Sequence, residues 1–105
     1  RFLSPHEVYK KYSVLDAAHD VATLMVDLIV ANEKELADHF LQKYKEASKD
    51  KDLESILPAY QTYCALKHGV LTCERKVALQ DESLGPVALE YFNLATRFSR
   101  TISKD

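Results

Sequence analysis

The sequence predicts an all-α fold, a bundle of four main helices plus one or two short ones, with antiparallel neighbours. Three observations lead there. Only two glycines and three prolines occur in 105 residues, which leaves little turn chemistry and favours a few long helices over many short strands. The stretches between these punctuation points are rich in Ala, Leu, Glu and Lys, all good helix formers. Apolar residues recur at three- and four-residue spacing along most of the chain. The connectors are short, so neighbours should run antiparallel, and the length fits a single helical domain over residues 1–105 with one core.

Each element has its own signal. Ser4, Pro5 and Glu7 read as a cap, a first helical position and a capping-box partner, opening a short helix to about Tyr12. Ser13, with Asp16 three positions later, reads as a second start. Val14, Ala17, Ala18, Val21, Leu24, Met25, Leu28 and Ile29 carry that helix to Ala31, and its broad apolar surface marks it as central. Asn32 is read as the next cap, with Glu35 at the box position. Leu36, Phe40, Leu41, Tyr44 and Ala47 form the stripe of a third helix that ends near Ser48. A polar connector follows, then a short helical turn from Asp52 to Leu57. Pro58 cannot donate to a helix ladder, so it is expected to open a new helix running to about Gln80. Tyr60, Tyr63, Ala65, Leu66, Val70, Leu71, Val77 and Ala78 are its expected core contacts. Gly69 inside it costs about 1 kcal/mol against alanine and points to a close helix–helix approach or a bend. Asp81 to Gly85 reads as a loop. Pro86 opens the last helix, with Val87, Tyr91, Leu94, Ala95, Phe98 and Ile102 on one face.

Charge and composition exclude several function classes. The formal net charge is -2, from 14 basic and 16 acidic residues. No basic stripe with interleaved aromatics occurs, so no nucleic-acid partner is expected. The longest apolar run, Leu24 to Ala31, is interrupted by Asp27 and falls far short of the roughly 20 residues that span a bilayer. No membrane partner and no signal peptide are expected. Cys64 and Cys73 lie nine positions apart on one expected helix, about 13 Å along its axis and on opposite faces. That excludes a disulfide between them, and free thiols fit a reducing cytoplasm. The chain starts at Arg1 rather than methionine, which points to a domain or a cleaved product.

Three constellations could carry chemistry. Asp16, His19 and Asp20 share one helix face, and Glu35 with His39 on the next helix offers a second pair of ligand types. Together they are the candidate metal set, since carboxylates and histidines on facing helices hold metals in helical bundles. The structural alternative is acidic decoration of a helix start, where negative charge is favourable. His19-Asp20 also spells the doublet of metal-dependent phosphohydrolases, without the further histidines such a site needs. Tyr60, Tyr63 and His68 could line a pocket, or be two core-edge tyrosines and a solvated histidine. Cys64 with His68 one turn later could make a nucleophile pair, but no third orienting group is readable and small buried cysteines are the commoner reading. Two isolated glycines make no phosphate loop. No catalytic residue and no cofactor are therefore expected.

The order of motifs resembles part of the aminoglycoside-phosphotransferase-like (protein-kinase-like) family, in an uncharacterised bacterial branch. The segment Asp16-x-x-x-Asp20-Val21-Ala22-x-Leu24-Met25-x-Asp27-Leu28 is similar to that family's. So are Leu36 to Leu41 with Tyr44, Ala47 and Ser48; Leu57-Pro58-Ala59-Tyr60-x-x-Tyr63-x-Ala65-x-x-His68-Gly69; and Tyr91-Phe92-x-Leu94-Ala95. The resemblance spans roughly residues 14–98. It implies the helical end of a C-terminal lobe, whose phosphate-binding lysine, catalytic aspartate and metal-binding aspartate would lie upstream. It gives Asp16 and Asp20 a structural, bracing role toward a catalytic loop. The chain departs from the family over Arg1 to Ser13, and carries His68 and Val70 around the glycine where relatives tend to be basic, so no substrate contact is expected of that stretch.

Three functional expectations follow. The first is a non-catalytic helical domain whose partner is an upstream kinase-like lobe. The second is a stand-alone interaction module that self-associates into a homodimer through an apolar helix face. The third is a metal-dependent helical enzyme using Asp16, His19, Asp20, Glu35 and His39.

Overall fold

A computed structural model describes the backbone of residues 5–48 and 51–102, and the side chains of residues 17–47 and 54–102. Four helices account for nearly all of it: α1 (Pro5–Val30), α2 (Lys34–Ser48), α3 (Lys51–Leu79) and α4 (Leu84–Ser99). No strand occurs among the described residues. No described helix is long and apolar enough to cross a membrane.

The short helices expected from the sequence are absorbed into longer ones. α1 runs unbroken through Ser13. Neither glycine nor proline lies near that position, and serine inside a helix costs only a fraction of a kcal/mol. The expected cap at Ser4 lies outside the described residues. α3 likewise runs through Pro58 rather than starting there. Continuity keeps Leu57, Gln61 and Cys64 in register, all three buried, and that burial outweighs the one ladder bond a proline cannot make.

Asn32 closes α1 instead of capping α2. Its φ is 66°, its N–H donates to the Ile29 carbonyl at 3.0 Å, and the Glu33 N–H donates to the Leu28 carbonyl at 2.8 Å. This is a Schellman motif, and asparagine is the non-glycine residue best suited to its left-handed position. Glu33 then accepts the first bond of α2, from the Ala37 N–H at 3.0 Å. The same device ends α3. Gln80 has φ 52°, with Gln80 N–H on Val77 O at 3.3 Å and Asp81 N–H on Lys76 O at 3.1 Å. The Asp81 carboxylate next accepts from the Ser83 N–H at 3.0 Å and the Ser83 hydroxyl at 2.5 Å. These bonds hold its pKa below the ordinary aspartate value. α4 therefore opens at Leu84, two residues before the expected start. Pro86 falls in its first turn, where its missing N–H has no ladder partner to lose.

α1 touches all three other helices, and α3 packs most extensively on α4. Contacts along α1 and α3 climb together: His19 meets Tyr60, Thr23 meets Cys64 and Asp27 meets His68. These two helices, not joined by a short connector, therefore run parallel. α3 and α4 run in opposite directions, since Gly69 lies against Phe92 and Lys76 against Gly85. The core is built from Val21, Ala22, Met25, Val26, Leu57, Cys64, Ala65, Leu94 and Ala95. Most of these are small. A Cβ built on Gly69 would come within 2.7 Å of the Phe92 ring, so the glycine marks a close approach of α3 and α4.

The core face of α3 differs from the one expected. Of the eight residues assigned to it, only Ala65 is buried. Tyr63, Leu66, Val70, Leu71 and Val77 are exposed large hydrophobics, and Ala78 is exposed as well. α1 and α4 instead grip the side of α3 that carries Cys64, Ala65 and Gly69. Small side chains allow the backbones to come closer there, with more contacts per turn.

Candidate functional site

Two features stand out from the packed helices: a polar clamp in which three helices meet, and an outward apolar stripe on α3.

The clamp centres on Asp27, the residue that interrupts the apolar run of α1. One carboxylate oxygen accepts from His68 Nδ1 at 2.8 Å and from the Tyr91 hydroxyl at 3.0 Å. The rings of His68 and Tyr91 meet edge to face at 5.5 Å. The Asp27 acceptor makes Nδ1 the protonated nitrogen of His68. Burial pushes the Tyr91 hydroxyl up to about 12, helped by the neighbouring Asp27 charge and its hydrogen bond and opposed by Arg75. Thr72 donates back to the His68 carbonyl at 2.7 Å. Asp27, His68, Leu71, Thr72, Arg75 and Tyr91 line a recess of about 270 Å³. An aspartate-oriented histidine is half of a nucleophile-activating arrangement, but no hydroxyl or thiol is hydrogen-bonded to this imidazole among the described residues. The arrangement ties α1, α3 and α4 together.

The other sequence candidates disperse. Cys64 is buried with its sulfur 3.3 Å from Thr23 Oγ1, while His68 turns to Asp27, so the two form no nucleophile pair. Cys73 is free and exposed. Tyr60 meets His19 edge to face at 6.3 Å, Tyr63 points outward, and His68 is partly buried rather than solvated. Of the candidate metal set, the side chain of Asp16 lies outside the described residues. His19 stands 3.9 Å from Asp20, whose side chain is 87% exposed. Glu35 and His39 sit on the exposed side of α2. Among the described residues, no three His, Cys, Asp or Glu side chains converge to hold a metal. Asp27 links α1 to α3 and α4, whereas the Asp20 carboxylate lies near His19 on its own helix. In the sequence Asp27 interrupts an apolar run and Tyr91 lies on an apolar face, each within a motif of the resemblance, and neither has a site role there. A lone acid inside an apolar run was the available signal, because a half-buried carboxylate requires donors.

The stripe is made of Ala59, Tyr63, Leu66, Val70, Cys73 and Val77, all exposed. Their spacing alternates four and three residues across almost three heptads. Tyr63 is 55% exposed, Leu66 47%, Val70 50% and Val77 77%. α1 lies along the side of α3 carrying Cys64 and His68, and α4 along the side carrying Gly69 and Lys76, so the stripe faces away from both. Lys67 and Glu74 flank it, exposed. Exposed hydrophobics scattered singly are ordinary, but a continuous seam at the period of a coiled coil is the surface to which another helix fits.

Comparison with family profiles, with curated proteins and with solved structures returned no match.

Proposed function

We propose that this chain is a non-catalytic helical docking domain, of the kind that forms the helical end of the C-terminal lobe in phosphotransferase-like proteins. The observation that carries this reading is the uncovered stripe on α3. Tyr63 is larger than any residue of the core, Leu66 matches Leu57 and Leu94, and Val70 and Val77 match Val21 and Val26, yet all four are exposed. The polar groups are committed elsewhere: no buried side-chain nitrogen or oxygen lacks a partner among the described residues, and the most elaborate polar cluster ties three helices. The order of motifs supports the phosphotransferase-like comparison, and free thiols at Cys64 and Cys73 support a reducing, cytoplasmic setting.

The test is a charge placed on the stripe. Val70→Glu should leave helix content unchanged and alter unfolding free energy by less than about 0.5 kcal/mol at dilution, because no internal packing is lost. It should at the same time abolish any association of the domain. A loss above about 1 kcal/mol in the dilute protein would show that the stripe packs internally and defeat the reading.

A further inference from the structure

The geometry points to a second copy of this chain as the occupant of the α3 stripe, bound antiparallel across a twofold axis that passes between residues 71 and 72. This rests on the docking reading above and names the partner.

Periodicity gives the first argument. Tyr63, Leu66, Val70, Cys73 and Val77 occupy alternate three- and four-residue steps, the narrow seam that packs knobs into holes against one facing helix. On α3 the surface is a single row with Lys67 and Glu74 along one edge, the arrangement that suits a facing helix.

Charge selects the partner and its direction. In an antiparallel pair with this axis, Leu66 packs against Val77 of the second copy, and Val70 against Cys73 of the second copy. The flanking positions then bring Lys67 to Glu74 of the second copy, and Glu74 to Lys67 of the second copy. The twofold makes both pairs at once, as a self-complementary interface requires. Sliding the register by one heptad sets Lys67 against Lys67 of the second copy, a repulsion. A parallel pair offers only Lys76 and Asp81, which are already engaged with Glu82 at 3.3 Å and with Ser83.

Area is sufficient. The stripe, with Leu89 at a neighbouring level of α4 and 59% exposed, presents on the order of 600 Å² of accessible surface per copy, so a dimer would bury about 1,200 Å², the low end of specific interfaces. Such an interface predicts a reversible dimer.

Sedimentation equilibrium of the 105-residue chain tests the proposal. The mass should rise from 12.0 kDa toward twice that value as concentration approaches about 100 µM. Lys67→Glu and Glu74→Lys should each weaken association about tenfold, and the double exchange should restore it. Direction is read by disulfide trapping. An equal mixture of Leu66→Cys/Cys73→Ser and Val77→Cys/Cys73→Ser should yield the mixed 66–77 cross-link. Cross-links between identical positions would overturn the antiparallel assignment. A monomer at every concentration would overturn the second copy as partner. If Val70→Glu then leaves the dilute protein's stability intact, the docking reading survives with another occupant; if it unfolds the monomer, both fall.

Discussion

Asp27 shows how one acid in an apolar run organises its surroundings. Its oxygen gathers His68 from α3 and Tyr91 from α4. The link has a pH signature. Burial and the Asp27 charge raise the Tyr91 hydroxyl to about 12, above the value near 10 of an unfolded tyrosine. A raised pKa means the fold favours the neutral phenol. That stabilisation is complete below about pH 10 and is lost as pH rises toward 12. Urea midpoints followed from pH 9 to 12 should therefore fall further in the wild type than in Tyr91→Phe, which lacks the titrating group. Equal losses in the two proteins would show that Tyr91 does not contribute to alkaline unfolding.

At the scale of elements, the helix ends and the α3–α4 contact make two predictions. Gln80 occupies a left-handed position that costs a side-chain-bearing residue about 1 kcal/mol. Gln80→Gly should raise stability by nearly that amount, and Asn32→Gly by a smaller one, since asparagine tolerates this conformation. Denaturant titration reads both, and a destabilised Gln80→Gly would contradict the motif. Gly69 poses the opposite problem. Alanine there gains helix propensity of about 1 kcal/mol but drives a methyl into the Phe92 ring. Overpacking of this kind costs about 1–3 kcal/mol, so Gly69→Ala should be destabilising. In a Phe92→Ala background the same change should become favourable. A coupling energy near zero in that double-mutant cycle would show that the ring moves aside freely.

The molecule as a whole is long and thin-cored. It measures 52 × 30 × 26 Å, with a radius of gyration of 15.8 Å, where a compact domain of this length would have about 13 Å. α2 packs on α1 and reaches α3 through the Lys45–Glu54 ion pair at 3.1 Å; of its described side chains only Ala37 is buried. Hydrogen exchange should accordingly place α2 among the first segments to open, well below α3 and α4 in protection. Equal protection in α2 and α3 would mean that the chain unfolds as one unit.

Helix class was legible because hydrophobic periodicity and helix propensity are local, and scarce glycine and proline leave few places to turn. Caps and prolines located the loops to within a few residues. They failed at Ser13, where serine without a neighbouring glycine or proline does not stop a helix, and at Pro58, where the burial of Leu57, Gln61 and Cys64 outweighs the missing ladder bond. Asn32 was recognised as a terminus but assigned to the wrong helix, because caps at either end favour the same residue. The orientation of α3 was beyond the sequence. Its large apolar residues and its small ones define two rival stripes, and only the approach of α1 and α4 decides which is buried. Close packing chose Cys64, Ala65 and Gly69, and so left Tyr63, Leu66, Val70 and Val77 facing outward. The Asp27 clamp was hidden for the same reason: its members lie 41 and 64 residues apart, and only tertiary packing brings a carboxylate on α1 to donors on α3 and α4.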